Sequence, residues 1–412
     1  MRTLRRRGQG LAVAALLVGC GGETATTTPT GPTYHGDVAP ILADHCLGCH
    51  GADGIGPLSL HDYASASNAA AAVADATREG RMPPFHALDD GSCRSFVDGP
   101  TISDEQIATL SRWAEAGAPE GEPIPPPMRS AGPDLREVSA VLDPGADYLP
   151  GTTEADDDYR CFIVDPKLDQ DRFLVAYRVD AGVPRAVHHV VLYAVADTAE
   201  AAEVQALDDA DPGLGYRCYG GPGTAESRSL AAWAPGTQAT RYPEGTGLRL
   251  LANLPLVMQV HYSRGGEPDR TTMALELTDT VAEEAIITGV FDVSLELPPG
   301  QASVSQTAAL PLPPLDKPLR LYGIYPHMHG RGRSVQAFVD RGGDSTCLID
   351  VPRYDDQWQR FYFYDEAVVV PPPGGGFFRI ACDFDTRGLD STLHWGEDAD
   401  DEMCIAAIYA TY

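Results

Sequence analysis

From residue 136 to residue 412 the chain is a succession of short apolar or alternating runs cut by Gly, Pro and Asp. "FLVAYRV" (173–179), "HHVVLYAV" (188–195), "LPLVMQVHYS" (254–263), "TMALELT" (272–278), "SVQAFVD" (334–340) and "MCIAAIYATY" (403–412) are the clearest. No long helical period runs through this stretch, so it reads as strands closed by tight turns. Such a pattern builds β-sandwiches or jelly rolls, and its length suits two of them. The expected boundary follows "TDTVAEE", giving one β unit over 136–283 and a second over 284–412; no internal repeat is clear. Residues 34–121 have a different, helical texture. The fold class expected is therefore multidomain: a small all-α domain followed by two all-β jelly-roll domains.

The flanking segments carry other signals. "MRTLRRRGQG" and the short apolar "LAVAALLVG" lead into "LVGC", ending at Cys20. Basic, apolar and L-x-G-C elements in that order resemble a bacterial lipobox, with residues 1–20 a lipoprotein signal peptide; an ordinary signal peptide with an incidental cysteine is the alternative. The resemblance implies lipidation of Cys20, export to the cell envelope and a membrane contact through the lipid anchor only. Gly21 after the cysteine points to the outer membrane, facing periplasm or surface. "GGETATTTPTGPT" (21–33) reads as a flexible tether and 122–135 as a Pro-rich linker. The chain of 412 residues has 30 Lys+Arg against 59 Asp+Glu, a formal charge of −29. Without a basic stripe to offset it, this charge excludes nucleic acid as a partner.

"HCLGCHG" contains Cys46-Leu47-Gly48-Cys49-His50. C-x-x-C-H is the attachment motif of c-type haem: two thiols add to the porphyrin vinyl groups and the histidine ligates the iron. A thioredoxin-like motif has no use for the histidine, and zinc would need further ligands at similar spacing. Met82 in "GRMPPF" is the expected sixth ligand, with His86 or His61 as alternatives. In "TISDEQIATLSRWAEAGAPE", Ser103 and Gln106 form a capping box. Ile107, Leu110 and Trp113 share a helix face, and Gly117 and Pro119 end the helix. Residues 34–121 thus resemble a small helical cytochrome c. Apart from Cys20, Cys46 and Cys49, six cysteines remain. In an oxidising compartment an even number suggests disulfides.

The β half carries His188 and His189 in one run, His261 in another, then His327-Met328-His329, and finally Met403. His327 and His329, at i and i+2, face the same way on a strand. His188 and His189 splay apart unless the strand twists or bulges, or unless one binds through Nδ1 and the other through Nε2. Imidazole suits copper, zinc, iron or nickel, and a thioether selects for Cu(I). Metal is the reading for the set, copper the reading for the site with methionine.

The ordered motifs H-H, Q-V-H-Y, H-x-H and D-E-M-C resemble the copper type II, ascorbate-dependent monooxygenases, over roughly residues 136–412. That resemblance implies two jelly rolls with one copper each across a solvent-filled gap. His188, His189 and His261 would hold the electron-transfer copper. His327, His329 and Met403 would hold the copper where O2 and a small organic substrate react, hydroxylating a C–H bond. Gln259 matches a family glutamine and is carried over with the catalytic set. Cys382–Cys404 matches a family disulfide. The pairing of Cys93, Cys161, Cys218 and Cys347 stays open, with Cys161–Cys218 preferred. Two copper ions and one covalent haem are the cofactors expected. An ascorbate-like reductant or another cytochrome is the expected one-electron donor, with the haem as relay. The positions where the family's peptide hydroxylases hold a substrate carboxylate are Tyr325, Ile405 and Ala407, none of them a cation, which speaks against a glycine-extended peptide. His394 reads as surface or as a neighbour of the site. A non-catalytic envelope lipoprotein for electron transfer or copper binding uses the same ligands and is the alternative.

Overall fold

The computed structural model describes residues 31–52, 54, 56–97, 102–123, 134–151, 157–263, 265–356, 358–396 and 400–412. The signal peptide with Cys20, most of the tether and most of the Pro-rich linker lie outside the described residues. No helix among the described residues is long and apolar enough to cross a membrane.

Residues 34–115 form helices and turns. A π-helical turn (Tyr34–Val38) runs into the helix Ala39–His45, a short turn Leu47–His50 follows, and three more helices span Tyr63–Asn68, Ala70–Arg78 and Asp104–Glu115. The last helix starts as its sequence predicts. Ser103 Oγ accepts from Gln106 N at 3.2 Å, and Gln106 Oε1 accepts from Ser103 N at 2.9 Å. These bonds satisfy donors that a helix start leaves open. Leu110 and Trp113 are buried against Tyr34, Val38, Leu42 and Leu60, while Ile107 is only half-buried. Gly117, at φ +81°, turns the chain out of the helix.

The rest is mostly β-sheet. A five-stranded sheet has the order Tyr216–Arg217, Asp158–Val164, Leu256–Tyr262, Val187–Ala194, Arg228–Trp233. A four-stranded sheet has the order Val304–Pro311, Phe377–Phe384, Gly332–Arg341, Asp344–Val351. Between the two halves runs a nine-stranded sheet. Its early strands (Ala140–Leu142, Thr272–Thr278, Arg172–Asp180, Thr246–Leu250), with the short Thr240–Arg241 paired on Arg172–Asp180, share a core with the five-stranded sheet. Its later strands (Glu283–Phe291, Ile405–Thr411, Leu319–His327, Tyr362–Val370) share most of a second core with the four-stranded one. Each core is thus a sandwich of inward-facing alternate residues. At the boundary expected near residue 283 the sheet is continuous, because Glu283 and Ala285 pair in parallel with Thr246 and Leu248.

Three disulfides close the structure: Cys161–Cys218, Cys382–Cys404 and Cys93–Cys347. The last joins the N-terminal part to the second β unit across 254 residues of sequence. The loop that carries it lies on that unit. Leu88 N donates to Asp350 O at 2.8 Å, Val97 N to Phe363 O at 2.9 Å, and Phe96, Phe85 and Tyr362 pack against one another. Ala87 and Phe96 belong to the second β core.

Candidate metal centres

On the five-stranded sheet, cross-strand register sets Tyr159, His261 and His189 side by side. His188 is the extra residue of a bulge: Val187 pairs with Tyr262 and His189 with His261, so three residues of this strand stand opposite two of its neighbour. Burial along Val187–Ala194 shows the same break, with Val187, Val190, Leu192 and Ala194 in the core and both histidines turned out of it. A bulge re-aims a side chain locally, which answers how neighbouring imidazoles reach one point. Nδ1 of His189 lies 3.3 Å from Nδ1 of His188 and 3.2 Å from Nδ1 of His261. Nitrogens bound at about 2.0–2.1 Å to one ion sit roughly 3–3.5 Å apart, so this spacing fits a metal. The ligand nitrogens of the three histidines all fall within 4.8 Å of one another.

The surroundings orient these rings. Asp157 Oδ2 stands 3.1 Å from His261 Nε2, leaving Nδ1 toward the cluster. Tyr159 stacks on the His261 ring at 4.0 Å. Burial holds the His189 imidazole well below its ordinary range, and His261, His188, His327 and His329 push the same way. Neutral imidazole is the form that ligates metal. That His327 and His329 act on His189 means the second histidine pair lies within electrostatic reach of the first cluster.

His327 ends the strand Leu319–His327. Its Nδ1 is 3.0 Å from Gln359 Oε1, and His329 Nδ1 is 3.0 Å from Asp401 O. Each Nδ1–H donates to a carbonyl-type oxygen, which leaves both Nε2 atoms for a metal. Burial and the neighbouring His329 lower the His327 pKa to about 3, against the opposing pull of Gln359. Gln359 is itself fixed, donating to Asp356 O at 2.9 Å and accepting from the Tyr325 hydroxyl at 2.8 Å. The register that pairs His327 with Ile405, carried on two residues, sets Met403 level with His329. Met403 is buried, and Cys404 beside it is tied to Cys382.

Glu402 is the residue that sequence reasoning passed over. Fully buried, its carboxylate accepts from the backbone N–H of His329 (3.0 Å), Arg331 (2.7 Å) and Met403 (3.2 Å). Burial pushes its carboxyl above the usual range, and the backbone N–H bonds pull it back. One side chain thereby clamps the H-x-H turn to the methionine turn. Gln359, Asp157 and Tyr159 were also not singled out; only Glu402, next to Met403 in D-E-M-C, had a signal in the motif. Gln259 is buried, with its amide 3.6 Å from Cys218 Sγ, against the Cys161–Cys218 disulfide. Tyr325 spends its hydroxyl on Gln359. His394 is exposed, 3.8 Å from Glu296.

A cavity of about 570 Å³ opens between the helical part and the β half. Cys46, Cys49, His50 and Met82 line it from one side; Tyr177, His188, Gly236, Trp358 and Arg360 line it from the other. His50 Nδ1 lies 2.8 Å from Leu58 O, which leaves Nε2 for a ligand. A Cβ on Gly56 would stand 2.5 Å from the His50 ring. Cys46 and Cys49 are outside the disulfides, and burial, with Cys49 beside it, pushes the Cys46 thiol up to about 12. Neither His61 nor His86 lines the cavity. His61 bonds Ser59 and pairs with Asp62 on the surface, and His86 is buried 4.0 Å from Asp355.

No curated protein matches this chain. Among solved structures it resembles the major capsid protein P2 from bacteriophage PM2 (10% identity, TM-score 0.29, covering 66% of this chain and 97% of that one). It also resembles the infectious bursal disease virus VP2 subviral particle (9%, TM-score 0.20, 66% and 71%) and allantoicase (9%, TM-score 0.19, 63% and 80%). Residues 285–412 match the family model of the copper type II ascorbate-dependent monooxygenase C-terminal domain, and this is the stretch that brings His327, His329, Glu402, Met403 and Cys404 together.

Proposed function

We propose that the protein is a copper-dependent monooxygenase that hydroxylates a C–H bond of a small organic substrate with O2. The observation that carries this reading is the pairing of a three-histidine cluster with a His-x-His site beside a buried methionine, the latter inside the family-matching stretch. The donors fit the metal. Imidazoles with their far nitrogens held by Asp157, Gln359 and Asp401 are pre-oriented ligands, and a thioether favours Cu(I). Bound copper would supply one-electron redox chemistry and a place for O2. The chain's own part is to hold the ligands. Gln359 fixes the His327 ring, Asp401 the His329 ring, and Glu402 the distance between the H-x-H and Met403 turns. With Ile405 and Ala407 apolar and the Tyr325 hydroxyl engaged, an uncharged substrate suits the site better than a carboxylate.

A haem that Cys46 and Cys49 would hold covalently, with His50 and Met82 to ligate its iron, is part of the same reading. Its support is the cavity, the free His50 Nε2 and the cradle at Gly56 that a Cβ would fill. Such a haem would pass single electrons from a reductant toward the three-histidine site. The L-x-G-C sequence at Cys20 supports a lipid anchor at the bacterial cell envelope. The test is metal and haem analysis of the purified protein with EPR. Two equivalents of copper and one alkaline pyridine haemochrome are expected, and Met403→Ala should abolish O2-dependent oxidation while keeping the three-histidine EPR signal. Fewer than two coppers, or an unchanged Met403→Ala variant, would overturn the oxygenase reading.

A further inference from the structure

The side of the cavity facing the Cys-x-x-Cys-His turn is built by the β half. Cys49 Sγ lies 3.7 Å from the Pro235 carbonyl oxygen. Gly236 comes next, at φ +89°, and a Cβ there would stand 2.6 Å from Cys49 Sγ and 3.2 Å from the Trp358 ring. Only glycine lets backbone and sulfur approach this closely in that conformation. Pro235 and Gly236 form the turn that follows the strand Arg228–Trp233, closed by Thr237 N donating to Ala234 O at 3.1 Å, and that strand pairs with Val187–Ala194 so that Trp233 is opposite Val190. His188 both lines the cavity and turns its Nδ1 to the three-histidine cluster. The Cys93–Cys347 bond holds the two sides together from outside the cavity.

We propose that the haem site is composite: the Pro235–Gly236 turn seats the Cys49 edge of the haem against the strand that carries His188. One turn then separates the haem from the three-histidine centre. Gly236 is a positioning residue, and the Trp358 ring packs behind it. The inference rests on the haem and copper reading given above.

The experiment uses the full chain loaded with haem and copper. The first readout is the spin relaxation of the three-histidine Cu(II) signal with the haem ferric and with it ferrous; a nearby ferric centre shortens it. The second is the haem absorption spectrum. Gly236→Ala should keep covalent haem and copper but lessen the relaxation effect severalfold and shift the haem spectrum as the seat opens. Trp358→Leu should shift the spectrum in the same direction. Gly300→Ala, also at positive φ (+78°) but with open space around the new Cβ, controls for backbone strain and should change neither. Haem and copper retained with no relaxation effect, or a Gly236→Ala protein matching wild type, overturns the composite seat and leaves the functional reading standing. Absence of covalent haem in the wild type overturns the haem reading itself.

Discussion

Removal of the Glu402 carboxylate should loosen the Met403 site selectively. Oε2 accepts from His329 N and Met403 N, and Oε1 accepts from Arg331 N. A buried donor left unpaired costs about 1–3 kcal/mol. Glu402→Ala orphans all three, and relief of the buried charge offsets part of that, so the loss should be about 3–5 kcal/mol. Glu402→Gln keeps one oxygen, able to serve the His329 and Met403 donors, and points an NH2 at Arg331 N, so its cost should be about 1–3 kcal/mol. A chain with several cores does not unfold in one step, so the readout must be local. Amide hydrogen exchange at 329, 331 and 403 should accelerate in the order Ala > Gln > wild type. Copper affinity at the His327/His329/Met403 site should fall in the same order, with the three-histidine site unaffected. Unchanged exchange at these amides in Glu402→Ala would refute the clamp.

Gln359→Ala removes the acceptor that orients His327. Loss of such a partner typically lowers metal affinity about 10–100-fold, and copper titration should show this at the second site alone. His86 offers a pH test. Burial lowers its pKa from the ordinary 6.5, Asp355 opposes this, and Arg353 adds to it. A depressed histidine binds fewer protons folded than unfolded, so its neutral form is compatible with the fold above the unfolded value, and stability is lost as pH falls from 6.5 toward the folded value. Protease sensitivity of the 83–97 loop should therefore rise between about pH 7 and 5, and His86→Gln should flatten that rise; an identical profile in the variant would refute it.

What sequence alone determined was local. Strand alternation, the Ser103–Gln106 capping box and the Cys46–His50 spacing each depend on residues within a turn or two, so their geometry follows from the backbone period. The His188–His189 pair was legible in part, since a flat strand forbids their convergence and a bulge was one of the ways out. The tertiary structure chose the bulge and aimed three Nδ1 atoms at one point. It also decided that Cys93 pairs with Cys347, that one sheet runs through the expected boundary at 283, and that Gln359 and Glu402 hold the second site. It further brought Gly236 against Cys49. Each of these joins chain positions that no spacing rule connects. Their distances depend on how two cores and a helical unit pack, and that is settled by the burial of whole faces rather than by any neighbouring residue.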